Sequence, residues 1–438
     1  MRIVMIGAGY VGLVSGACLA DFGHEVVCVE VDESKVVSLR EGRVPIYEPG
    51  LSELALANQA AGRLSFTTDL KAAGQGAQAI FIAVGTPSLA EVGSADMRFV
   101  HHAARDIAGI IEGFTVVVVK STVPIGAGDE VERIIAKHVP KDSFAVVSNP
   151  EFLREGAAIE DFKRPDRVVI GVEDDRAREV MAEIYRPIER NGGRIVYTSR
   201  RSSEMIKYAA NVFLAMKVTF INEIADLCEK VGGDVQQVAR GIGLDNRIGG
   251  KFLHPGPGFG GSSFPKDTVA LIKTAQDAEA PLRIVETVAA VNDARKRGMA
   301  RKVAAALGGS LRGKTVAVLG LTFKPNTDDM REAPSIPLIT ALKDLGAKVR
   351  AYDPAGMQQA RTELPDIEYA ADAYACARGA HAVVIVTEWT QFRALDLDRL
   401  KREMATPVVV DLRNIYRPDG MAEHGFTYES IGRPGKSS

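Results

Sequence analysis

Several stretches of this sequence hold residues whose types and spacing suit them to chemistry. In "MIKYAANVFLAMK", Lys207 and Asn211 stand four apart, on one face of a helix, among apolar neighbours. A lysine buried there needs an anion or a carbonyl oxygen to compensate it; otherwise it must reach solvent along its own methylenes. "NPEFLREG" sets Glu151 and Glu155 four apart after an apolar run. Such a pair either handles protons and orients water or decorates a helix start. "GFGGSSFPKD" strips side chains from a loop around Ser262 and Ser263, with Lys266 and Asp267 just beyond. Glycines are used this way where backbone must approach a ligand closely. Ser263 lacks a Ser–His pattern and a G-x-S-x-G elbow, and His254, nine residues upstream, has no identifiable partner. A hydroxyl without such help is a poor nucleophile, so Ser263 reads as a weak catalyst in a strong-looking site.

The N-terminal "GAGYVG" places Gly7, Gly9 and Gly12 in G-x-G-x-x-G spacing between a strand and a helix. The first glycine allows a tight turn, the second a close approach of pyrophosphate, and the third close helix packing. Glu30 ends the second strand, where a carboxylate meets an adenosine ribose 2′-hydroxyl and repels a 2′-phosphate. NAD is therefore expected over NADP, although Lys35 brings a positive charge nearby. "STVPIG", Ser121 to Gly126, falls at the carboxyl end of another strand, where doubly wound folds bind ligands.

The elements that must position these residues follow from the apolar runs. "RIVMIG", "EVVCVEVD", "AIFIAVGTP" and "FTVVVVKSTVP" are Val/Ile-rich and barely alternate, as strands do when helices cover both faces of a parallel sheet. From "SSEMIKYAANVFLAMKVTFINEIADLCEKVG" onward, apolar residues recur every three to four positions for about thirty residues. The segment predicts a long core helix that also packs against a second subunit. After residue 310, "GKTVAVLGLTFKP", "AKVRAYDP", "AHAVVIVTEW" and "TPVVVDLRN" echo the N-terminal strands with the phosphate-loop glycines lost. The expected fold is α/β: two Rossmann-like doubly wound domains, 1–200 and 310–438, joined by a helical region, 201–309. With 54 basic and 56 acidic residues, the chain has no charge bias toward nucleic acid or acidic lipid. Its four scattered cysteines have no metal-ligand or redox spacing, no run is long and apolar enough to span a membrane, and a cytoplasmic location is expected.

Taken in order, "GAGYVGLVSG", "VGTPS", "STVP", "NPEFLREG", "MIKYAANVFLAMKVTFINEI", "GFGGSSFPKD" and "GLTFKPNTDDMREAPS" make the chain resemble the UDP-glucose/GDP-mannose dehydrogenase family over roughly residues 1 to 415. The resemblance implies NAD-dependent, two-step oxidation of the C6 alcohol of UDP-glucose to a carboxylate. It implies Lys207 and Asp267 flanking the C6 oxygen, Lys207 against developing negative charge and Asp267 with a water as base. Asn211 would bond the same oxygen, Thr122 and Glu151 would hold the water, and Glu155 would lie near nicotinamide and sugar. Phe152, Leu153, Arg154, Phe252, Leu253, His254, Pro255, Gly256 and Gly260 would line the substrate. Lys324 and Arg413 would reach its nucleotide, and Arg247 would be given by a neighbouring subunit, which implies a homodimer. Tyr10, Val11, Lys35, Gly85, Thr86, Pro87, Ser121, Lys266 and Arg331 fall on NAD positions, with Gly7, Gly9, Gly12 and Glu30. The family carries a nucleophilic cysteine where this sequence has Ser263, so binding is expected to be intact and the overall reaction impaired. Two other readings remain open: a dehydrogenase for another nucleotide sugar, and a catalytically silent nucleotide-sugar binder.

Overall fold

In the computed structural model the described residues are 1–87, 93 and 95–433; Ser88 of the "VGTPS" motif and the last five positions of the expected C-terminal domain lie outside them. The chain forms two compact units. One comprises Met1–Ala210 with Lys273–Glu279, the other Asn211–Ile272 with Ala280–Ser438. The boundary falls inside the 32-residue helix Arg200–Val231, between Lys207 and Asn211.

The first unit is built on strands β1 (Arg2–Ile6), β2 (Glu25–Val29), β3 (Leu64–Thr67), β4 (Ala79–Ile82), β5 (Thr115–Val119), β6 (Phe144–Ser148), β7 (Val168–Gly171) and β8 (Ile195–Thr198). They lie in the order β3-β2-β1-β4-β5-β6-β7-β8. The six-strand part is parallel, as the unbroken apolar runs predict, and its central strands β4, β5 and β6 are buried on both faces, while the edge strand β3 alternates. The last two strands depart from that expectation: β7 pairs antiparallel to β6, and β8 then runs parallel to β7. The second unit carries β9 (Thr315–Leu319), β10 (Lys348–Tyr352), β11 (Glu368–Tyr369), β12 (Ala382–Ile385), β13 (Val408–Asp411) and β14 (Thr427–Ser430). All are parallel, in the order β11-β10-β9-β12-β13-β14. Both sheets thus show the Rossmann order 3-2-1-4-5-6.

The internal repeat holds at single hydrogen bonds. Gly7 N–H donates to the Val29 carbonyl at 2.8 Å, and Gly320 N–H donates to the Tyr352 carbonyl at 2.9 Å. Ala8 N–H reaches Glu30 Oε2 at 3.3 Å, and Leu321 N–H reaches Asp353 Oδ2 at 2.7 Å. The two acids then diverge. Asp353 is 1% exposed and accepts from Leu321 N, Thr322 N, Thr322 Oγ1 and Trp389 Nε1 on one oxygen, and from Ala355 N and Gly356 N on the other. The backbone amides that a Rossmann turn offers to a phosphate are here turned onto the domain's own carboxylate.

Replacing Asp353 by Asn puts an NH2 group against these donors and should destabilise the second unit by about 2–3 kcal/mol. Trp389 is the only tryptophan, so urea unfolding followed by its fluorescence reads this unit. A midpoint unchanged from that of the parent chain would contradict the assignment.

Candidate active site

The dinucleotide turn has the shape its glycines imply. Gly7 has φ +101°, and a β-carbon there would lie 2.6 Å from the Ala83 carbonyl oxygen; one at Gly12 would lie 1.9 Å from the Gly7 carbonyl oxygen. Gly9 faces open space, leaving its backbone accessible to a ligand at the start of the helix Tyr10–Asp21. Glu30 accepts from Ala8 N–H and from Lys35 Nζ, 2.9 Å away. Burial raises the Glu30 carboxyl pKa, but the Lys35 ammonium and backbone N–H groups outweigh it and leave the pKa below its ordinary value. The positive charge at Lys35 is thus engaged with the acid it was expected to complicate. These residues fit an adenine dinucleotide with an unsubstituted ribose 2′-hydroxyl.

At the carboxyl ends of β4 and β5, Ser121 Oγ donates to the Val84 carbonyl at 2.7 Å and Thr86 Oγ1 to the Thr122 carbonyl at 2.8 Å. These bonds tie the segment holding Gly85, Thr86 and Pro87 to "STVP". A small crevice there is lined by Ser121, Thr122, Pro150 and Lys207 among others. Lys207 is only 3% exposed, so it does not reach solvent. Its Nζ lies 3.0 Å from Glu151 Oε1 and 5.3 Å from the centre of the Phe152 ring, whose surroundings also include the Arg167 guanidinium at 3.6 Å. Burial pushes the Glu151 carboxyl up, yet Lys207, the Leu153 N–H and Lys120 outweigh this and hold it below the usual carboxylate range. Glu151 through Arg154 have no regular secondary structure, and the next helix starts only at Ala158, so neither glutamate decorates a helix start. Arg154 turns to Asp161, with Nη2 2.6 Å from Oδ1.

In the second unit, Asn211 Nδ2 donates to Asp267 Oδ2 at 2.6 Å; Asp267 is 1% exposed, and Lys266 Nζ lies 3.8 Å from its other oxygen. Lys207 and Asn211 stand on successive turns of the same helix. Ser263 immediately precedes the helix Phe264–Asp277, and its carbonyl accepts from Asp267 N–H at 2.8 Å. A helix start favours negative charge. It would lower the pKa of a thiol, whereas a serine hydroxyl stays protonated. All four cysteines are buried and free. Burial pushes the Cys18, Cys28 and Cys376 thiols up to about 12.

The glycine loop is held by contacts that leave no room for side chains. A β-carbon at Gly260 would lie 2.2 Å from the Glu332 carbonyl oxygen, and one at Gly261, where φ is +89°, 2.7 Å from the Phe323 ring. Gly261 N–H donates to the Arg331 carbonyl at 2.9 Å. Gly256 abuts the Arg413 guanidinium, and Arg413 Nη2 reaches the Phe323 carbonyl at 3.4 Å. Gly256, Gly260, Arg413 and the strand-end segment of Phe323, Lys324 and Arg331 therefore meet at one place. Phe252 keeps a strained φ of +65° while its ring contacts Phe264, and Leu253 and Pro255 are buried. His254 is exposed, and Arg247, its side chain 90% exposed, pairs with Asp245.

Several supporting residues escape a sequence reading. Asn222 Oδ1 takes the Gly256 N–H at 2.8 Å, Asn292 brackets Phe259 through both its amide atoms, and Arg295 Nε donates to the Gly256 carbonyl at 2.7 Å. Glu204 accepts from Gly126 N, Gly128 N and Ser148 Oγ at the start of the helix Ala127–Ile135. Lys120 lies buried against Asn149 and Tyr185, and Glu48 binds Tyr10. Each answers to backbone or polar groups far away in the chain, and some, such as Arg295 in "NDARKR" and Glu204 after "SRRSS", are hidden among other polar residues, so no local signal marks them.

Comparison with known proteins accords with this geometry. Residues 1–189 match the NAD binding domain of the UDP-glucose/GDP-mannose dehydrogenase family, 201–294 its central domain and 317–418 its UDP binding domain. The chain is 65% identical over 436 residues to a UDP-glucose 6-dehydrogenase of Rhizobium meliloti (strain 1021), covering 99% of this chain and 100% of that protein. It is 46% identical to the UDP-glucose 6-dehydrogenase TuaD of Bacillus subtilis (strain 168), with 99% and 93% covered. Among solved structures, a UDP-glucose dehydrogenase from the archaeon Pyrobaculum islandicum superimposes with a TM-score of 0.90 at 40% identity, covering 98% of this chain and 97% of that one. By its matched domains and these relatives, the chain belongs to the UDP-glucose/GDP-mannose dehydrogenase family.

Proposed function

We propose that this protein is an NAD-dependent UDP-glucose 6-dehydrogenase in which Ser263 slows the overall reaction. The observation that carries the reading is the buried Lys207, neutralised by Glu151, one helical turn from an Asn211 bound to Asp267. Oxidising an alcohol requires a base for its proton and a cation for the oxygen that loses it. Lys207 supplies the cation, and Asp267, through a water, the base. Asn211 donates to the same oxygen, while Thr122 and Glu151 hold the water. The Gly7–Gly12 turn and Glu30 would hold NAD, which would supply the hydride acceptor for each of the two oxidations. Gly256, Gly260, Lys324 and Arg413 hold the sugar diphosphate, and Phe152 to Glu155 and Phe252 to Pro255 serve the sugar. By this division of labour residues 1–200 bind NAD, 201–309 carry the catalytic loop and 310–438 bind the UDP-sugar.

The first oxidation removes hydride and proton and needs no nucleophile. The second requires addition of a protein nucleophile to the aldehyde, loss of hydride from the adduct, and hydrolysis of the resulting ester. A serine hydroxyl at 263 adds slowly because it is not ionised, and its oxygen ester is less reactive to water than a thioester.

The protein acts as a homodimer in this reading. Phe213, Phe220 and Leu227 recur every seven residues along the long helix, each about half exposed, in a stripe that a second copy would cover. Arg247, held outward, is available to a neighbouring site.

Among UDP-glucose, GDP-mannose and UDP-N-acetylhexosamines, Ser263→Cys should release NADH with UDP-glucose alone; preference for another sugar would overturn the substrate assignment, and silence with all of them the enzyme reading. In that background Lys207→Met should cut kcat by about 100-fold or more, as loss of an oxyanion donor does; a loss under about fivefold would remove Lys207 from the reaction. Phe220→Glu should convert the dimer to monomer in sedimentation analysis, and an unchanged mass would place the interface elsewhere.

A further inference from the structure

Glu48 has no place in the reaction described above, yet it joins the two loops that the reaction requires to be in register. It lies in the turn "IYEPG" between the helices Glu33–Arg40 and Leu51–Ala60, and it is 7% exposed. Oε2 accepts from the Tyr10 hydroxyl and from Gly156 N–H, the latter at 2.6 Å; Oε1 accepts from Ala158 N–H at 2.8 Å. Tyr10 directly follows Gly9 of the dinucleotide turn, and Gly156, at φ +80°, directly follows Glu155. Ala158 opens the helix Ala158–Lys163, so the carboxylate stands at the first residues of two helices. Their far ends are tied by Lys163 Nζ to Asp21 Oδ2 at 2.6 Å. Burial first, then Glu48 and Glu155, push the Tyr10 phenol far above its ordinary pKa. Tyr10 therefore stays a donor, and the Glu155 charge lies close to it.

We propose that Glu48 is a positioning residue: its carboxylate sets the distance between the dinucleotide turn at Tyr10 and the Glu151–Gly156 loop, and so sets Glu155 against the nicotinamide half of the cofactor. The proposal rests on the NAD-dependent reading above. A carboxylate is required because three donors converge on it. Glutamine offers one oxygen and an NH2, leaving at least one buried N–H without an acceptor. The turn's own anchors, Gly7 N–H on Val29 and Ala8 N–H on Glu30, do not involve Glu48. The adenosine end of the site should therefore survive its loss.

The test is titration of the full chain with NADH, followed by nicotinamide fluorescence, and with ADP-ribose, followed by calorimetry. Glu48→Gln should raise the Kd for NADH about tenfold and that for ADP-ribose less than about threefold. Tyr10→Phe removes one hydroxyl and leaves Glu48 on Gly156 and Ala158, so it decides the question if Glu48→Gln does not fold; it should weaken NADH in the same direction. Unchanged NADH binding in the folded variants, or an equal loss for both ligands, would overturn the positioning role. If the parent chain itself does not bind NADH, the cofactor reading fails first and takes this proposal with it.

Discussion

A lysine ammonium taken out of water must be given a counter-charge, and the region around the crevice lined by Thr122 and Lys207 is arranged to meet that demand. Lys207 finds its carboxylate in Glu151, and removing one member of such a buried pair typically costs about 3–5 kcal/mol. A second cation stands nearby. Lys120 Nζ lies 3.2 Å from Asn149 Oδ1 and 3.3 Å from the Tyr185 hydroxyl, with the Phe162 and Tyr185 rings beside it. Burial pushes Lys120 down to about 8; Glu151 opposes the shift and Lys207 adds to it. Glu151 thus answers to two cations and stays ionised despite its burial. The Lys207 charge is held in place by the protein's own carboxylate, a fixed arrangement of the kind that the proposed electrostatic role requires.

The helix Arg200–Val231 distributes this constraint along its length. Glu204 caps the helix Ala127–Ile135, Lys207 holds Glu151, Asn211 holds Asp267, Asn222 holds Gly256, and Asp226 pairs with Arg295 at 2.8 Å. Glu229 accepts from Gly432 N–H and Lys302. Each tie is made within its own compact unit. The apolar positions between them account for the helix as a core element. The polar ones explain why its apolar pattern is interrupted so often.

How much of this was legible in the sequence depended on whether a residue's partners were local. The "GAGYVG" turn reads directly, because strand, glycine spacing and Glu30 all fall within thirty residues and obey one geometry. The C-terminal repeat reads almost as well: "AKVRAYDP" aligns with "HEVVCVEVD" down to the equivalence of Asp353 and Glu30, although nothing in the sequence tells that Asp353 is turned inward. Lys207 was ambiguous between burial and solvent because its acid lies 56 positions away. Glu48, Glu204, Asn222, Asn292 and Arg295 were invisible for the same reason, since each satisfies backbone groups of a remote loop. The antiparallel pairing of β7 escaped because parallel and antiparallel strands buried on both faces share one pattern. The loop around Ser263 stands out by its glycines alone, whereas the cysteine that the family carries at this position is legible only from the resemblance. Ser263 stands directly before a helix start, with Asp267 one turn further on.

If Ser263 is the one defect in the proposed site, the second oxidation alone should suffer. A single-turnover reaction of excess enzyme with UDP-glucose and NAD tests it most directly, by the NADH formed per sugar in this chain and in Ser263→Cys. Ser263→Cys should give two NADH per sugar, and the parent chain no more than one on the same timescale, with the second oxidation lagging far behind. Two NADH per sugar at equal rates from both chains would contradict it, because position 263 would then contribute nothing to the second oxidation.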